Sequence, residues 1–184
     1  MSASRPRDHE EMLLHLANAL ADRPRASMEQ LAAMIGVSRA TLCRYFPSRD
    51  SMMRAMSEAA ISSAEQAFAR ARPHEGPVKD AIKRLIEEFL PIAELYAYAD
   101  QRLHGDEALE ARVQPLRASL IESFLQWQGA GALRVDLSAP WLVESMSALL
   151  CSAATMIRAG RLARHDAAQS VFNLLWQGMS KKTP

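Results

Sequence analysis

The sequence contains few cysteines and few aromatic residues. Its 184 residues include two cysteines, Cys43 and Cys151, and aromatic residues make up 6% of the chain. Two cysteines this far apart form neither a disulfide framework nor the paired spacing of a zinc site, and they are typical of a reducing compartment. We therefore expect no disulfide, no metal site and no cofactor.

Long hydrophobic runs are also missing. Charge or proline breaks each apolar stretch before it reaches membrane-spanning length. The N-terminal arginines are followed by Asp8, Glu10 and Glu11, where a signal peptide would become apolar. Hydrophobic residues still make up 49% of the chain, enough for a substantial core. The sequence predicts a soluble cytoplasmic protein that does not enter a membrane.

The alternating runs of β-branched residues that are typical of strands do not occur either. Ala, Leu, Met, Glu, Arg and Gln dominate instead, and these residues favour helices. Proline and glycine divide the pattern, so that Pro24, Gly36 and Pro47 end the first three helices. The segment 73–77 separates a long fourth helix from the rest. An all-α fold of about nine helices is predicted.

The C-terminal half continues this helical pattern. Pro115 is predicted to interrupt a helix over residues 106–128. A loop over residues 129–137 follows, and Ser138 is a suitable cap for a helix that runs to about residue 159. The last helix is predicted over residues 166–179.

The second and third helices form a recognisable pair. Ser27 with Gln30 is a predicted capping box for the second helix, and Ser38 is a predicted cap for the third. Two short helices joined by a glycine-containing turn are typical of a helix-turn-helix, whose second helix enters the major groove of DNA. Ordinary helical hairpins show the same pattern, so the pattern alone leaves both interpretations open.

Charge supports DNA binding only locally. The net charge is +1, but Arg39, Arg44, Arg49 and Arg54 occur in one short stretch opposed only by Asp50. Such a cluster suits phosphate binding. A solvated charged face is the other interpretation, and charge alone favours it.

The segment from Ser27 to Met53, SMEQLAAMIGVSRATLCRYFPSRDSMM, resembles the DNA-binding signature of the TetR/AcrR family of bacterial transcriptional regulators. The resemblance covers residues 10 to 56, and beyond them the chain matches only in length and helical character. It implies an N-terminal three-helix helix-turn-helix domain over residues 1–54. A larger helical domain for ligand binding and dimerisation is implied over residues 55–184.

Two positions depart from the family pattern. Ala40 stands where glycine is common, and alanine also lets the helix approach DNA closely. Cys43 stands where the family often has a tyrosine that contacts a phosphate, so one hydroxyl contact is missing. Cys43 is either a reactive thiol or a small half-buried residue, and the lack of a partner cysteine favours the second interpretation.

Helical geometry assigns roles within the third helix. Leu42 and Phe46 point inward, whereas Arg39 and Ala40 are expected nearest the bases, where arginine can bind guanine and a methyl group can meet thymine. The resemblance implies phosphate contacts from the hydroxyl groups of Ser27 and Tyr45 and from Arg49 at the start of the fourth helix. The predicted DNA-binding set is Ser27, Ser38, Arg39, Ala40, Thr41, Arg44, Tyr45 and Arg49.

After Ser138, a stripe of small residues occurs at spacings of three and four: Ser145, Ala148, Ser152 and Thr155. The resemblance implies that this helix and the last one form a homodimer interface, as palindromic operators require. Packing within the chain explains the stripe equally well. The predicted interface residues are Leu142, Ser145, Leu149, Ser152, Met156, Val171, Leu174, Leu175 and Gly178.

The ligand site is predicted only from resemblance. Its candidate residues are Phe68, Leu85, Phe89, Tyr96, Leu120, Phe124 and Met146. Core packing explains each of them as well. The ten methionines would suit an adaptable, largely apolar site for a small molecule.

The sequence contains none of the common catalytic motifs, such as a nucleophile elbow, a phosphate loop or an HExxH helix, so an enzyme is not expected. The expected function is a repressor that releases a palindromic operator when it binds a small molecule. The alternative is a helix-turn-helix adaptor that is regulated by a protein partner.

Overall fold

The computed structural model describes residues 9–95 and 106–181. In these ranges the chain forms eight α-helices and one 3-10 turn, and its only strand-like pairing is an isolated bridge between Leu133 and Ser180. The all-α prediction is confirmed, and the helix count is close to nine. The helices are α1 (His9–Asp22), α2 (Met28–Met34), α3 (Arg39–Tyr45), α4 (Arg49–Ala71), α5 (Val78–Phe89), α6 (Glu107–Gly129), α7 (Ala139–Arg158) and α8 (Arg164–Met179), with the 3-10 turn at Leu90–Ile92.

The helix α6 corrects one prediction. Pro115 lies inside this helix, which runs through it without a break. A proline in a helix interior removes a hydrogen bond and costs about 3 kcal/mol. Val113, Leu116 and Phe124 on the same helix are buried, and their packing offsets this local cost. The prediction of an interrupted helix was therefore wrong.

The chain divides into two compact units. Of the described residues, the first unit contains 9–62, 94–95 and 106–109, and the second unit contains the remainder. The predicted boundary after residue 54 falls inside the continuous helix α4, which supplies residues to both units. Met56 and Ala60 lie in the core of the first unit, and this is why that unit extends past residue 54.

The core of the first unit is rich in methionine. Met12, Met52 and Met56 are buried in it, and three partly buried methionines pack against it: Met28, Met34 and Met53. Six of the ten methionines therefore support the helix-turn-helix. The expectation that methionines mark a ligand site does not apply to these six.

The second unit is built around α5, α7 and α8. The helix α8 packs against both α5 and α7. Arg84 on α5 fastens the turn after α4, since its guanidinium donates hydrogen bonds to the carbonyls of Ala71 (2.7 Å), Arg72 (3.0 Å) and Glu75 (2.5 Å). The bond to Ala71 satisfies a carbonyl that the end of α4 leaves without a helical partner, and the other two hold the turn that follows.

Candidate nucleic-acid interface

The helix α2 begins and ends as its sequence predicts. The Ser27 hydroxyl accepts a hydrogen bond from the Gln30 amide at 3.2 Å, and the Gln30 side chain accepts one from the Ser27 amide at 2.8 Å. At the other end, Gly36 adopts a φ of +73°, and the Val37 amide donates to the Ala32 carbonyl at 2.9 Å. This left-handed glycine closes α2 and directs the chain into α3.

The helix α3 exposes one face and buries the other. Ser38 caps it by accepting a hydrogen bond from the Thr41 amide at 3.0 Å. Leu42 and Phe46 are buried at 0% and 2% exposure, which fixes the rotation of the helix. The predicted contact residues that are exposed in this segment are Ser38, Arg39, Ala40, Arg44 and Tyr45, whereas Thr41 is half-buried.

Arg44 and Tyr45 lie together at the end of α3. The Arg44 guanidinium lies 5.5 Å from the centre of the Tyr45 ring. Stacking of this kind holds a guanidinium plane in position while its N–H groups stay available. The pair therefore presents a cation and a phenol side by side, a combination that suits phosphate oxygens.

Arg49, a predicted phosphate contact, has a structural role that the sequence did not reveal. Its guanidinium donates hydrogen bonds to the backbone carbonyls of Ala26 and Pro24, the latter at 2.8 Å. These partners lie 23 and 25 residues earlier in the chain, so no local pattern could have indicated them. Arg49 ties the start of α4 to the turn before α2, and its remaining N–H groups leave the phosphate prediction open.

The predicted cluster of four arginines divides into two kinds. Arg54 forms an ion pair with Asp106, and the same carboxylate accepts a hydrogen bond from the Leu109 amide at the start of α6. Arg54 is therefore neutralised locally. Arg39 and Arg44 are exposed, and the ion pairs among the described residues include neither of them.

Cys43 lies on α3 between the exposed and the buried face. It is half-buried, and its sulfur is a free thiol. This burial agrees with the prediction of a small half-buried residue, and the reactive-thiol alternative stays a prediction.

The predicted ligand residues of the second unit differ in burial. Leu85, Phe124 and Met146 are buried, as is Leu120, whereas Phe68 and Phe89 are half-buried. Phe124 packs against Trp127 with ring centres 5.0 Å apart, an arrangement typical of a core. Tyr96 lies outside the described residues. All seven positions remain predictions.

The predicted dimer residues also differ in burial. Leu142, Val171 and Leu175 are buried within the chain. Ser152, Leu174 and Gly178 are exposed, and Ser145, Leu149 and Met156 are half-buried. Trp141, which the sequence analysis did not include, is 60% exposed on the same helix as Ser145 and Ser152. Nothing in the sequence indicated this exposure, because an aromatic residue at helical spacing is as readily part of a core.

The helix α7 has an unusual balance of hydropathy and burial. It is the one helix of the described residues that is long and apolar enough to cross a membrane, with a mean hydropathy of 1.3. Only 33% of its apolar window is buried within the chain. A helix of a soluble protein shows the same composition where another helix covers it.

Comparisons with known proteins agree with this geometry. The model of the family described as "Bacterial regulatory proteins, tetR family" matches residues 24–56, which span α2, α3 and the start of α4. The regulator NfxB of Pseudomonas aeruginosa, an HTH-type transcriptional regulator, is 31% identical over 180 residues, or 94% of this chain and 95% of NfxB.

A second relative is similar in both sequence and structure. The HTH-type transcriptional repressor LfrR of Mycolicibacterium smegmatis is 33% identical over 112 residues, or 60% of this chain and 59% of LfrR. The crystal structure of LfrR from Mycobacterium smegmatis in complex with proflavine matches with a TM-score of 0.73 and 25% identity, over 93% of this chain and 95% of that one. From the helix-turn-helix geometry and the full-length match to NfxB, we conclude that this chain belongs to the TetR family of bacterial regulatory proteins and is a DNA-binding transcriptional regulator.

Proposed function

We propose that this regulator acts in the cytoplasm as a homodimeric repressor, which binds a palindromic operator and releases it when a small, largely apolar molecule binds the second unit. The exposed face of α7 and α8 is the observation that carries the dimer. Trp141, Ser152 and Thr155 are exposed at helical spacing on α7, and Leu174 is 66% exposed on α8. A second copy of the chain would cover this face and present two recognition helices about 34 Å apart.

The relatives support the ligand part of the proposal. LfrR is named a repressor, and its structure contains proflavine, a small planar molecule. The helix α4 contributes residues to both units of the present chain, so a ligand that shifts its second part also moves its first part. A changed spacing of the recognition helices then lowers DNA affinity. By linkage, operator DNA must weaken ligand binding by the same factor.

The dimer can be tested with two matched substitutions. Leu174→Glu places a charge on the proposed interface, whereas Leu125→Glu places one on an equally apolar, 54% exposed position of α6. Light scattering after gel filtration should show a dimer for the wild type and for Leu125→Glu, and a monomer for Leu174→Glu. A Leu174→Glu protein that stays dimeric would exclude this face as the interface.

The ligand is tested first with proflavine, in the absence of DNA. Binding to the folded state alone raises the melting temperature by mass action, so proflavine and other planar or apolar compounds can be ranked by this rise. Compounds that raise it are then added to the operator complex, with the compound and the bare duplex as the control. Release of the operator supports the proposal. A compound that binds equally well with and without operator would contradict it, and a response only to a protein from the same cells would favour the adaptor.

A further inference from the structure

The turn between α1 and α2 has a charged surface that the sequence analysis did not include. An open groove of about 380 Å³ lies here, lined by Arg23, Pro24, Arg25, Ala26 and Gln30. Arg23, Arg25 and Gln30 are exposed, whereas Ala26 is buried at 4% exposure. The groove therefore has a mostly apolar lining, and two exposed arginines are among the residues that form it.

The backbone of this turn is held at several points. The Arg23 amide donates to the Ala19 carbonyl at 2.9 Å, and the Ala26 amide donates to the Arg23 carbonyl at 3.0 Å. Arg49 holds the carbonyls of Pro24 and Ala26 from the other side. Two arginines on a fixed backbone lose less conformational entropy when they bind than two on a mobile loop.

The contact with Arg49 also locates the turn relative to α3. Arg49 is the first residue of α4, and only the segment 46–48 separates it from the end of α3. The turn therefore lies next to the C-terminal end of the recognition helix, where Arg44 and Tyr45 are exposed. A strand of DNA that contacts this end of α3 passes close to the turn.

The charges of the turn select a polyanion. The ion pairs among the described residues include neither Arg23 nor Arg25. Asp22 and Glu29 are the nearest acids in the sequence. Guanidinium groups bind phosphate oxygens with two parallel hydrogen bonds, and DNA carries one phosphate per 3.4 Å along each strand.

We propose that Arg23 and Arg25 form a second phosphate-binding pair, which contacts the DNA backbone beside the major groove that α3 enters. This inference rests on the proposed function, because it requires α3 to lie on DNA. Arg49 has the role of a positioning residue, since it holds the turn from which both arginines project. The pair sets affinity and register, while base recognition stays with α3.

The test is the salt dependence of DNA binding by the variant Arg23→Gln/Arg25→Gln. Fluorescence anisotropy is measured on two duplexes, one from the region upstream of the protein's own gene and one of random sequence. Log K falls as log salt rises, and each lost phosphate contact makes this negative slope shallower by about 0.9. Two lost contacts therefore make it shallower by about 1.8 for each protomer. The affinity should fall equally on both duplexes, because phosphates carry no sequence information.

Two control variants separate this role from a general effect of charge. Arg23→Lys/Arg25→Lys keeps both charges and should retain most of the slope. Arg161→Gln/Arg164→Gln removes two exposed arginines from the second unit and should leave the slope unchanged. Circular dichroism checks the fold of each protein, and the single variants Arg23→Gln and Arg25→Gln give half the effect if the double variant is unstable.

The outcomes distinguish this inference from the proposed function. If the wild type binds both duplexes and Arg23→Gln/Arg25→Gln shows the wild-type slope, the phosphate pair is excluded while DNA binding stands. A loss confined to the upstream duplex would show that the two arginines read bases, and this also overturns the phosphate assignment. If the wild type binds neither duplex, the proposed function fails and this inference fails with it.

Discussion

Several arginines of the second unit have acidic partners, whereas four exposed arginines of the first unit, all near α3, have none among the described residues. In the second unit, Arg70 pairs with Glu88 at 2.6 Å and Arg112 with Glu65 at 3.7 Å. In the first unit, the described ion pairs include none of four exposed arginines: Arg23, Arg25, Arg39 and Arg44. A net charge of +1 therefore conceals a local positive surface, and it is the uncompensated charge that attracts a polyanion.

The largest expected effect is the loss of stability when a buried phenylalanine is removed from the core of either unit. Phe46 in the first unit and Phe124 in the second are buried at 2% and 0% exposure. Truncation of either to alanine should cost about 3–5 kcal/mol of unfolding free energy, because a buried aromatic ring is lost and a cavity remains. Thermal unfolding followed by circular dichroism measures this cost. Phe46→Ala should also abolish DNA binding, since Phe46 anchors the end of α3, and unchanged binding would contradict that role.

The next comparison concerns the two arginines that bind backbone carbonyls. Hydrogen bonds from a charged donor contribute about 1.5–3 kcal/mol, so Arg49→Gln and Arg84→Gln should lower stability by about that amount. Only Arg49→Gln should also weaken DNA binding, because Arg49 fixes the turn beside α3 whereas Arg84 fixes the turn after α4. Urea unfolding and anisotropy on the same samples test both statements. Equal loss of DNA affinity in the two variants would contradict this distinction.

Replacing glycine with alanine should change stability in opposite directions at two positions, one in each unit. Gly36 has a φ of +73°, and an added Cβ would meet no atom within 4 Å, so Gly36→Ala costs only the left-handed backbone energy of about 1–2 kcal/mol. Gly129 ends the helix α6 without a left-handed φ and has the same free space. Gly129→Ala should therefore stabilise the chain by about 0.4–1 kcal/mol. Urea midpoints that shift in the same direction would contradict the backbone argument.

The smallest effect depends on pH and lies in the second unit. The hydrogen bond and charge of the Arg134 guanidinium lower the pKa of Asp136 from its usual value, and Asp136 in turn raises the pKa of Arg134. A carboxyl whose pKa is lower in the folded state stabilises above its unfolded pKa, about 3.9, and this contribution is lost as pH falls through the folded value. The difference in melting temperature between wild type and Asp136→Asn should therefore be small at neutral pH and shrink below pH 4. A difference that grows in acid would contradict the direction of the pKa shift.

The parts of the fold that depend on local chemistry could be predicted. The Ser27 capping box, the Ser38 cap and the left-handed Gly36 each depend on residues within three or four positions. The outward face of α3 followed from the helical period once Leu42 and Phe46 were recognised as inward. The DNA-binding signature lies in this same short stretch, which explains why it was readable.

The parts that depend on distant contacts could not be predicted. Arg49 binds carbonyls 23 and 25 residues away, and Arg54 pairs with a carboxylate 52 residues away, so both appeared in the sequence as members of one basic cluster. The turn with Arg23 and Arg25 gained its significance only through Arg49. Pro115 was misread because local propensity predicts a break, whereas packing along α6 maintains the helix.

The most direct test of the central claim compares uncompensated arginines with paired ones. Arg39→Ala/Arg44→Ala removes two exposed arginines of α3, whereas Arg112→Ala/Arg117→Ala removes two that are paired with Glu65 and Glu144. Anisotropy on the upstream duplex should show that the first variant binds more weakly, by about 1–3 kcal/mol for the base contact of Arg39 and by a further amount for the phosphate contact of Arg44, while the second binds like the wild type. Equal affinities for the two variants would contradict the claim that the uncompensated arginines of the first unit form the DNA-binding surface.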